Sequence, residues 1–421
     1  FSVASLKTIQ ALNSRYGFTS GESLLAINSR NDKPVILASL IQNNILADQG
    51  TTTYQGLVVK LEEEGGGSEI ILLTPKRNIT EAQLWNIAKE YEKSVPEIVY
   101  AEPDITLYSA TSTKGSKAVS PTPVSPSSLK KSVALEKKWW TKKEKNHNLR
   151  ARLQFALTST FTPIAILDSG LDMAHPYVTG RVWQNTNEKP ENYKDDDANG
   201  FNDDVYGWDF TTNKGNSVND DIGHGTHIAG IITKYAHSAT GKADGNPIAA
   251  LKVFDKSAES KLSYAIKAMK YAIDNNIRLM NISFGTLIDS KALKDMTEYV
   301  YSKGGFVVAA AGNNNTSKPH YPAAYEKVIA VGALNTAGEK LAESNYGDWI
   351  DVYAPGERVL SIIPQNRYGY LSGTSQAAPF VTAAVANLLY ADPNISVEDV
   401  IAKLKETDFM SMSGPSPYDK E

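Results

Sequence analysis

Five short, mainly apolar runs between residues 164 and 331 limit the possible folds of the chain more than any other feature. Runs of this length suit parallel strands that are buried on both faces. Between two of them, the stretch from Leu262 to Ile273 carries one apolar stripe at helical spacing. This alternation predicts a parallel sheet with helices on both sides and an active site at the carboxyl ends of the strands. The runs are Ile164–Leu167, Ile248–Phe254, Leu279–Ile282, Phe306–Ala310 and Val328–Val331.

The first hundred residues follow a different pattern and predict a small α+β unit. Tyr54–Glu62 and Glu69–Pro75 have the composition of strands. Thr80 is a favourable N-cap for an amphipathic helix, and Ile98–Ala101 predicts a further short strand. A second helix is expected around Leu6–Tyr16.

The stretch from Ser109 to Lys137 separates these two patterns. It is rich in Ser, Thr, Pro, Ala and Lys, and Glu136 is its single acidic residue. Such a segment cannot bury enough apolar surface to offset the entropy lost on ordering it. We interpret residues 109–138 as an exposed, flexible linker, which is either a site of proteolytic processing or a plain spacer between domains.

Composition excludes several classes of function. The chain of 421 residues has 43 basic and 47 acidic side chains, a formal net charge of −4, which gives no electrostatic reason to expect a nucleic-acid partner. The absence of cysteine excludes disulfides, thiolate metal sites and a cysteine nucleophile, so any metal must be bound by oxygen or imidazole. No apolar run is long enough to predict a membrane-spanning helix.

Four polar residues fall where the predicted strands end or helices begin. Asp168 and Asn313 follow apolar runs, while His224 and Ser375 lie among small residues at helix starts. A histidine oriented by a carboxylate can act as a general base, and a serine at a helix N-terminus has N–H groups that stabilise an oxyanion. Each residue also has an ordinary alternative as a cap or turn residue. His224 with His227 could instead bind a metal, and His227 alone suits a core position.

Together with their neighbours, these four residues resemble the signature blocks of the subtilisin-like serine proteases, the subtilases. The blocks follow the order Asp, His, Ser that is typical of the family. The resemblance extends from about Leu149 to Asp392. The blocks are Asp168–Gly170, His224–Gly230, Ala310–Asn313 and Gly373–Pro379.

The resemblance implies a three-layer α/β domain and a role for each of the four residues. Asp168 would orient His224, and His224 would take the proton from Ser375 as Ser375 attacks a peptide carbonyl. Asn313 and the Ser375 backbone N–H would bind the oxyanion. The implied protein is a monomeric serine endopeptidase acting on proteins or peptides, secreted or held at the cell surface, with neither a nucleic-acid partner nor a membrane span.

The resemblance also implies a zymogen. The segment from Val99 to Asp104 is similar to the closing strand of subtilase propeptides. Residues 1–108 would then be a ferredoxin-like propeptide that assists folding and inhibits the site. The linker would hold the processing site, and residues 139–421 would form the peptidase domain. Trp139-Trp140 and the tail Met410–Glu421 depart from the family pattern.

Substrate-binding residues follow from the same resemblance. One strand would pair with an extended substrate, and two segments would form the walls of the pocket for the residue before the scissile bond (P1). His320 would lie near the floor of this pocket and would discourage large apolar side chains, and Gln376 replaces the usual methionine. The pairing strand is Ala258, Glu259 and Ser260, and the two walls are Ser283, Phe284, Gly285 and Ala310, Ala311, Gly312.

A second kind of chemistry is indicated by an acidic loop after residue 194. Oxygen-bearing side chains occur there at every second position, 195, 197 and 199, and Gly200 is at position six, as in the first half of an EF-hand loop. The bidentate glutamate of that motif is missing, since Tyr206 occupies its position. A structural Ca²⁺ is expected, with a solvated acidic loop as the alternative. The candidate ligands are Asp195, Asp197, Asn199, Phe201, Asp203 and Asp204.

Two other functions are compatible with these residues. A chain with the subtilase fold could be catalytically silent and bind peptides or partner proteins, although all four catalytic positions are filled. A metal-dependent hydrolase using His224 and His227 is the other alternative. It lacks an evident third ligand and the glutamate of the usual zinc motif.

Overall fold

A computed structural model describes ten segments of the chain, and most of the linker, Trp139-Trp140 and all but one residue of the region beyond Thr407 lie outside them. The described residues are 3–16, 18–27, 56–62, 68–75, 79–96, 98–109, 121–124, 161–236, 245–407 and 409.

The chain divides into two compact units, each of which is described by itself. The first comprises Phe1–Thr106 together with Lys261–Lys270 and Asp289–Tyr299. The second comprises Leu107–Ser260, Tyr271–Ile288 and Val300–Glu421.

The N-terminal part of the first unit is an α+β structure, as predicted. Its four described strands form an antiparallel sheet in the order β1-β3-β2-β4. Its ferredoxin-like connectivity remains a prediction. The described elements are α1 (Val3–Tyr16), β1 (Phe18–Ile27), β2 (Leu57–Glu62), β3 (Ser68–Pro75), α2 (Glu81–Ser94) and β4 (Ile98–Pro103).

Helix α2 begins where the sequence predicted. The Thr80 hydroxyl accepts from the N–H of Gln83, and the Gln83 side chain accepts from the N–H of Thr80, which forms a capping box. On the buried face of the helix, the Tyr91 hydroxyl donates to Asn13 of α1 at 2.6 Å. The cap therefore fixes the start of α2, and the Tyr91–Asn13 hydrogen bond joins it to α1.

The remaining elements follow Thr106, and parts of α4 and α5 belong to the first unit. In chain order they are β5 (Thr106–Ser109), β6 (Thr122–Pro123), β7 (Ile164–Asp168), β8 (Gly207–Asp209), β9 (Lys214–Gly215), α3 (His224–Tyr235), β10 (Ile248–Lys252), β11 (Glu259–Lys261), α4 (Leu262–Asp274), β12 (Leu279–Ile282), β13 (Phe284–Gly285), α5 (Lys291–Ser302), β14 (Phe306–Ala310), β15 (Val328–Leu334), β16 (Val352–Pro355), β17 (Val359–Ile363), β18 (Arg367–Leu371), α6 (Thr374–Ala391) and α7 (Val397–Lys405).

An eight-stranded sheet organises the second unit. Its strand order is β16-β15-β14-β12-β7-β10-β8-β9. Neighbouring strands are parallel, except that β9 runs antiparallel to β8. The five predicted apolar runs are β7, β10, β12, β14 and β15, so the mainly parallel α/β architecture is confirmed.

Two small sheets involve residues that the sequence assigned to the linker. Ser109 ends β5, the middle strand of a sheet ordered β11-β5-β13. Strand β6 pairs antiparallel with β18 through Thr122 and Pro123. Strand pairing of this kind uses backbone groups, so it does not need the apolar side chains on which the sequence prediction relied.

Helix α6 lies in the core and carries the candidate nucleophile at its start. Most of its side chains are buried, including Phe380 and Val381. The Phe380 ring packs against Tyr235 of α3, with the ring centroids 4.7 Å apart. Within the described segments, no helix combines the length and the hydropathy needed to cross a bilayer.

Replacing Phe380 by alanine should destabilise the fold strongly, because its ring is 2% exposed and its removal leaves a cavity beneath α6. We expect the free energy of unfolding to fall by about 3–5 kcal/mol. Urea unfolding, followed by circular dichroism in a Ser375→Ala background, measures this change without self-digestion.

The control is Leu287→Ala, since Leu287 is 53% exposed. This variant should unfold within about 0.5 kcal/mol of the parent. Equal losses in the two variants would contradict the burial of α6.

Candidate active site

Three neighbouring strands of the large sheet bring the predicted site residues to one edge. Asp168 is the last residue of β7, Ser283 follows β12 directly, and Asn313 lies three residues beyond β14. Because β7, β12 and β14 are adjacent and parallel, their carboxyl ends meet at this edge. The edge therefore gathers residues from distant parts of the sequence.

Asp168 and His224 form a buried pair. Nδ1 of His224 lies 2.8 Å from Oδ1 and 3.0 Å from Oδ2 of Asp168, and both side chains are almost fully buried. The N–H of Ser169 also donates to Oδ1 of Asp168, at 2.7 Å. A Cβ on Gly225 would come 2.2 Å from the carbonyl oxygen of Gly170. Only glycine at position 225 thus allows the start of α3 to approach the loop after β7.

Asp220 is a second acidic residue near His224, and the sequence analysis did not identify it. Its carboxylate accepts from the N–H groups of Gly223 and Thr226 and from the hydroxyl of Ser169. Burial works to lower the pKa of His224, but the charge and hydrogen bond of Asp168, with the charge of Asp220, outweigh it. The pKa of His224 is therefore raised above its usual 6.5.

Ser375 lies in the first turn of α6, next to the segment after β12. Its hydroxyl donates to the carbonyl of Ser283, and the Ser283 hydroxyl donates to the carbonyl of Ser375, both at 3.1 Å. The side-chain amide nitrogen of the next residue, Gln376, lies 3.4 Å from Nε2 of His224. Nε2, the nitrogen not engaged by Asp168, therefore faces the start of α6.

Asn313 is oriented by the same helix start. Its Oδ1 accepts from the N–H of Thr374 at 2.9 Å. Gly373 has a φ of +136°, and a Cβ there would come 2.7 Å from Nδ2 of Asn313. A glycine at this position leaves room for the side-chain amide beside Ser375, so the amide NH₂ group lies at the candidate site.

His227 belongs to the core and takes no part in a metal site. Its Nε2 lies 3.0 Å from the carbonyl of Val359 and 3.2 Å from that of Gly369. Burial, together with the charge of His224, lowers the pKa of His227 to about 3. Nε2 of His227 is thus engaged by backbone carbonyls and Nδ1 of His224 by Asp168, which argues against the alternative of a metal site shared by the two histidines.

The acidic loop forms a carboxylate cluster that differs from the predicted set. Asp197 and Asp204 converge with Glu188, whose role the sequence analysis missed. Asp195 is instead bonded within its own loop, where it accepts from the N–H groups of Asn199 and Gly200.

One other predicted ligand of this loop, Asp203, has different neighbours, since its carboxylate accepts from the N–H groups of Asn192 and Tyr193. The ring of Phe201 packs edge-on against Trp208 and Tyr271, with centroids about 5 Å away. This packing does not involve the backbone carbonyl, the atom that an EF-hand loop offers to the ion at that position. The Asn199 amide nitrogen, in contrast, lies 2.9 Å from Asp204 and therefore borders the cluster.

Mutual repulsion is evident in the pKa values of this cluster. Burial raises the pKa of Asp204, and the charge of Asp197 adds to the effect against hydrogen bonds from Tyr271, Asn199 and Asn185. Burial likewise raises the pKa of Glu188, and the charge of Asp204 adds to it. Three converging carboxylates thus form an oxygen-only group that a hard cation would stabilise.

Predicted substrate-binding residues lie in the two strands on either side of β5. Strand β13 contains Phe284 and Gly285 and pairs antiparallel with β5, through Phe284 opposite Ser109 and Gly285 opposite Tyr108. Glu259 and Ser260 lie in β11, on the other side of β5, while Ala258 precedes that strand.

The second predicted wall and the predicted floor residue are also buried in this region. Ala310 ends β14, and Ala311 and Gly312 follow it. His320 lies between Gly285 and Gly312, because a Cβ on either glycine would come within about 3 Å of its ring. The two walls and the floor residue are therefore brought together.

A comparison with sequence families agrees with this geometry. The profile of the subtilase family of peptidases matches residues 161–414. The matched part contains all four candidate catalytic residues and more than half of the chain.

Three curated relatives are similar to the same part of the chain. A thermophilic serine proteinase of Bacillus sp. (strain AK1) is 36% identical over 260 residues, which cover 61% of this chain and 58% of the relative. Thermitase of Thermoactinomyces vulgaris is 35% identical over 58% of this chain and 80% of its own length. Subtilisin of Bacillus pumilus is 34% identical over 59% and 84%. The chain thus spans less than two thirds of the first of these relatives.

Replacing Asp220 by asparagine should shift the pH dependence of any activity that needs neutral His224. The change removes a charge that raises the pKa of His224, while the asparagine oxygen can still accept from the N–H of Thr226 in the first turn of α3. The acid limb of kcat/KM against pH should therefore move to lower pH. A pH–rate profile on a peptide substrate measures this shift.

Asp221→Asn is the matched control. It removes the same charge one residue away, from a side chain that is 59% exposed and paired with Lys252. This variant should keep the acid limb of the parent. An unshifted limb in the Asp220 variant would contradict the assigned influence of Asp220 on His224.

Proposed function

The chain belongs to the subtilase family, and from that premise we propose that it is a serine endopeptidase with the triad Asp168, His224 and Ser375. The buried contact of 2.8 Å between Asp168 and His224, next to the start of α6, is the observation that carries the proposal. Carboxylate, imidazole and hydroxyl then have the order of roles that acyl transfer requires.

In the proposed reaction, Oγ of Ser375 attacks the peptide carbonyl while Nε2 of His224 takes its proton. The resulting imidazolium is stabilised by Asp168 and gives the proton to the leaving amine nitrogen, which leaves an acyl-enzyme. Water, deprotonated by His224, then releases the acid product. Before attack, the Ser375 hydroxyl must leave the Ser283 carbonyl to which it donates.

We assign the oxyanion to Asn313 and the Ser375 backbone N–H. The hydrogen bond from Thr374 to Oδ1 of Asn313 supports this role, because it fixes the amide so that its NH₂ group is the donor. A donor that is oriented before the reaction needs no reorganisation when negative charge develops on the substrate oxygen.

We propose that the chain contains its own inhibitor in the region that ends with β5. The pairing of β5 with β13, in the sheet where β11 is its other neighbour, supports this idea. An extended peptide that adds a strand to exposed edges is a recurrent binding mode of proteases and other peptide-binding proteins. Residues Leu107–Ser109 would thus occupy the places of a substrate.

Hydrogen bonds within the first unit support the propeptide assignment. Glu102 accepts from the Ser290 hydroxyl and from the N–H groups of Lys291 and Ala292, at the start of α5. Asp104 accepts from the N–H and the hydroxyl of Ser263, at the start of α4. Carboxylates at helix N-termini satisfy free N–H groups and complement the helix dipole.

We propose that the P1 side chain enters between Ser283–Gly285 and Ala310–Gly312. Contacts between Ser283 and Ser375 support this placement, since one wall then begins at the nucleophile. In a substrate that pairs with β13, the P1 residue, whose carbonyl meets Ser375, would directly follow the residue that pairs with Phe284.

We propose Ca²⁺ as the ion for the cluster of Glu188, Asp197 and Asp204. The donor set fits, because three carboxylates converge there and Ca²⁺ prefers oxygen ligands. The NH₂ groups of Asn185 and Asn199 donate to two of these carboxylates, Asp197 and Asp204. A bound cation would neutralise the carboxylates and stabilise the loop, without a part in the reaction. Secretion and a monomeric state remain predictions from the family resemblance.

Replacing Ser375 by alanine should abolish both peptide hydrolysis and removal of the N-terminal region, because both would need the same nucleophile. The purified full chain would be followed by intact-mass spectrometry over time, and a fluorophosphonate probe would report the reactive serine. The parent should lose the N-terminal region and label, whereas the variant should stay intact and unlabelled.

Ser372→Ala is the control, since Ser372 is an exposed serine three residues away whose hydroxyl accepts from the N–H of Arg358. It should process and label like the parent. Continued self-processing by the Ser375 variant would refute the assignment, and a parent that neither labels nor cleaves peptides would favour a silent binding protein.

Calcium should stabilise the chain by binding to the observed cluster of Glu188, Asp197 and Asp204, and not to the ligand set that the EF-hand pattern predicted. At a free Ca²⁺ concentration about 100 times the Kd, one site adds about 2.7 kcal/mol to the free energy of unfolding. Glu188→Gln should lose most of this increment. Thermal unfolding in the Ser375→Ala background, with Ca²⁺ and with a chelator, measures it.

Asp195→Asn separates the two sets of ligands. Asp195 is bonded to its own loop and lies outside the observed cluster, so this variant should keep the calcium increment. If Asp195→Asn lost the calcium increment and Glu188→Gln kept it, the EF-hand ligand set would be favoured over the observed cluster. No increment in the parent would exclude a calcium site.

A further inference from the structure

The imidazole of His320 fills the space between the two proposed walls of the P1 pocket. A Cβ built on Gly285 would lie 2.4 Å from Cε1 and 2.7 Å from Nδ1 of His320. A Cβ on Gly312, from the opposite wall, would lie 3.1 Å from Cγ of the same ring. The ring thus fits only because both neighbours are glycine, and it occupies volume into which side chains at these positions would project.

The walls cannot move apart easily to make room beside this ring. The N–H of Gly312 donates to the Thr374 hydroxyl at 3.0 Å, and the amide of Asn345 donates to the Ala311 carbonyl at 2.7 Å. The opposite wall is held by Thr286, which exchanges two backbone hydrogen bonds with Tyr321. The residues next to the ring on both sides are therefore anchored to the surrounding structure.

The ring itself is also fixed. His320 is 6% exposed and is hydrogen-bonded to the Ala310 carbonyl. Burial lowers the pKa of His320 to about 4, so the imidazole is uncharged at neutral pH. Tyr321, the next residue, is held by the same pair of backbone bonds to Thr286. The ring is therefore uncharged and is held in one position between the two walls.

From these contacts we infer that His320 shortens the P1 pocket and restricts this protease to small P1 residues, alanine and serine before leucine and phenylalanine. The inference rests on the proposed function, whose P1 pocket it refines. A large side chain would have to displace a ring packed against two backbone segments, and overpacking of this kind is costly. Alanine and serine need no such displacement.

The test compares four peptides that differ only at P1, with Ala, Ser, Leu or Phe, cleaved by the processed enzyme. In the parent, kcat/KM for Ala and Ser should exceed that for Leu and Phe by at least about tenfold. In His320→Ala, the ratio of kcat/KM for Leu and Phe to that for Ala should rise by at least about tenfold.

His175→Ala is the matched control, because His175 is also buried but its ring contacts Tyr368 and the Arg367 carbonyl instead. It should keep the P1 preference of the parent. A parent that prefers Leu or Phe overturns the inference even if His320→Ala does not fold, and so does an unchanged preference in His320→Ala. If the processed enzyme cleaved none of the four peptides and none of the peptides of a casein digest, the proposed function itself would be overturned.

Discussion

The buried carboxylate of Asp168 is the constraint on which the rest of the site depends. A charge that is 2% exposed at the end of a central strand must be matched by donors close by. The Ser169 N–H and the His224 ring supply them, at 2.7 and 2.8 Å. Since His224 is the first residue of α3, the need to satisfy Asp168 also fixes where that helix begins. The glycine at position 225 is the packing requirement that follows.

The strands were predictable from sequence because burial on both faces makes their runs of residues mainly apolar. Strands β12 and β14 have the predicted bounds, and the N-cap of α2 was found from Thr80. The run Ile248–Phe254 was predicted too long for a physical reason. Strand β7 ends at Asp168, so the amides of Val253 and Phe254 bond to the Asp168 carbonyl in place of a continuing ladder.

The site was predictable only as far as local motifs reach. Sequence spacing cannot show whether a loop carboxylate bonds its own backbone, as Asp195 does, or turns towards a common centre, as Asp197 does. Glu188 joins that centre from outside the motif, and Asp220 acts on His224 through the fold of the loop before α3. Nor could the sequence show that Glu102 would bond to the start of a helix about 190 residues further along the chain.

The proposed inhibitor and the proposed substrates would both pair with β13, but they would differ in their other contacts with the protein. Pairing of β5 with β13 uses backbone groups, which every extended peptide has. Discrimination among substrates must therefore come from side-chain pockets, and at P1 the rigid ring of His320 sets the available volume. Glu102 and Asp104 make their hydrogen bonds at the starts of α5 and α4, outside any such pocket. A short substrate lacks these carboxylates and would be released after cleavage, whereas the proposed inhibitor would keep these hydrogen bonds, which do not depend on P1.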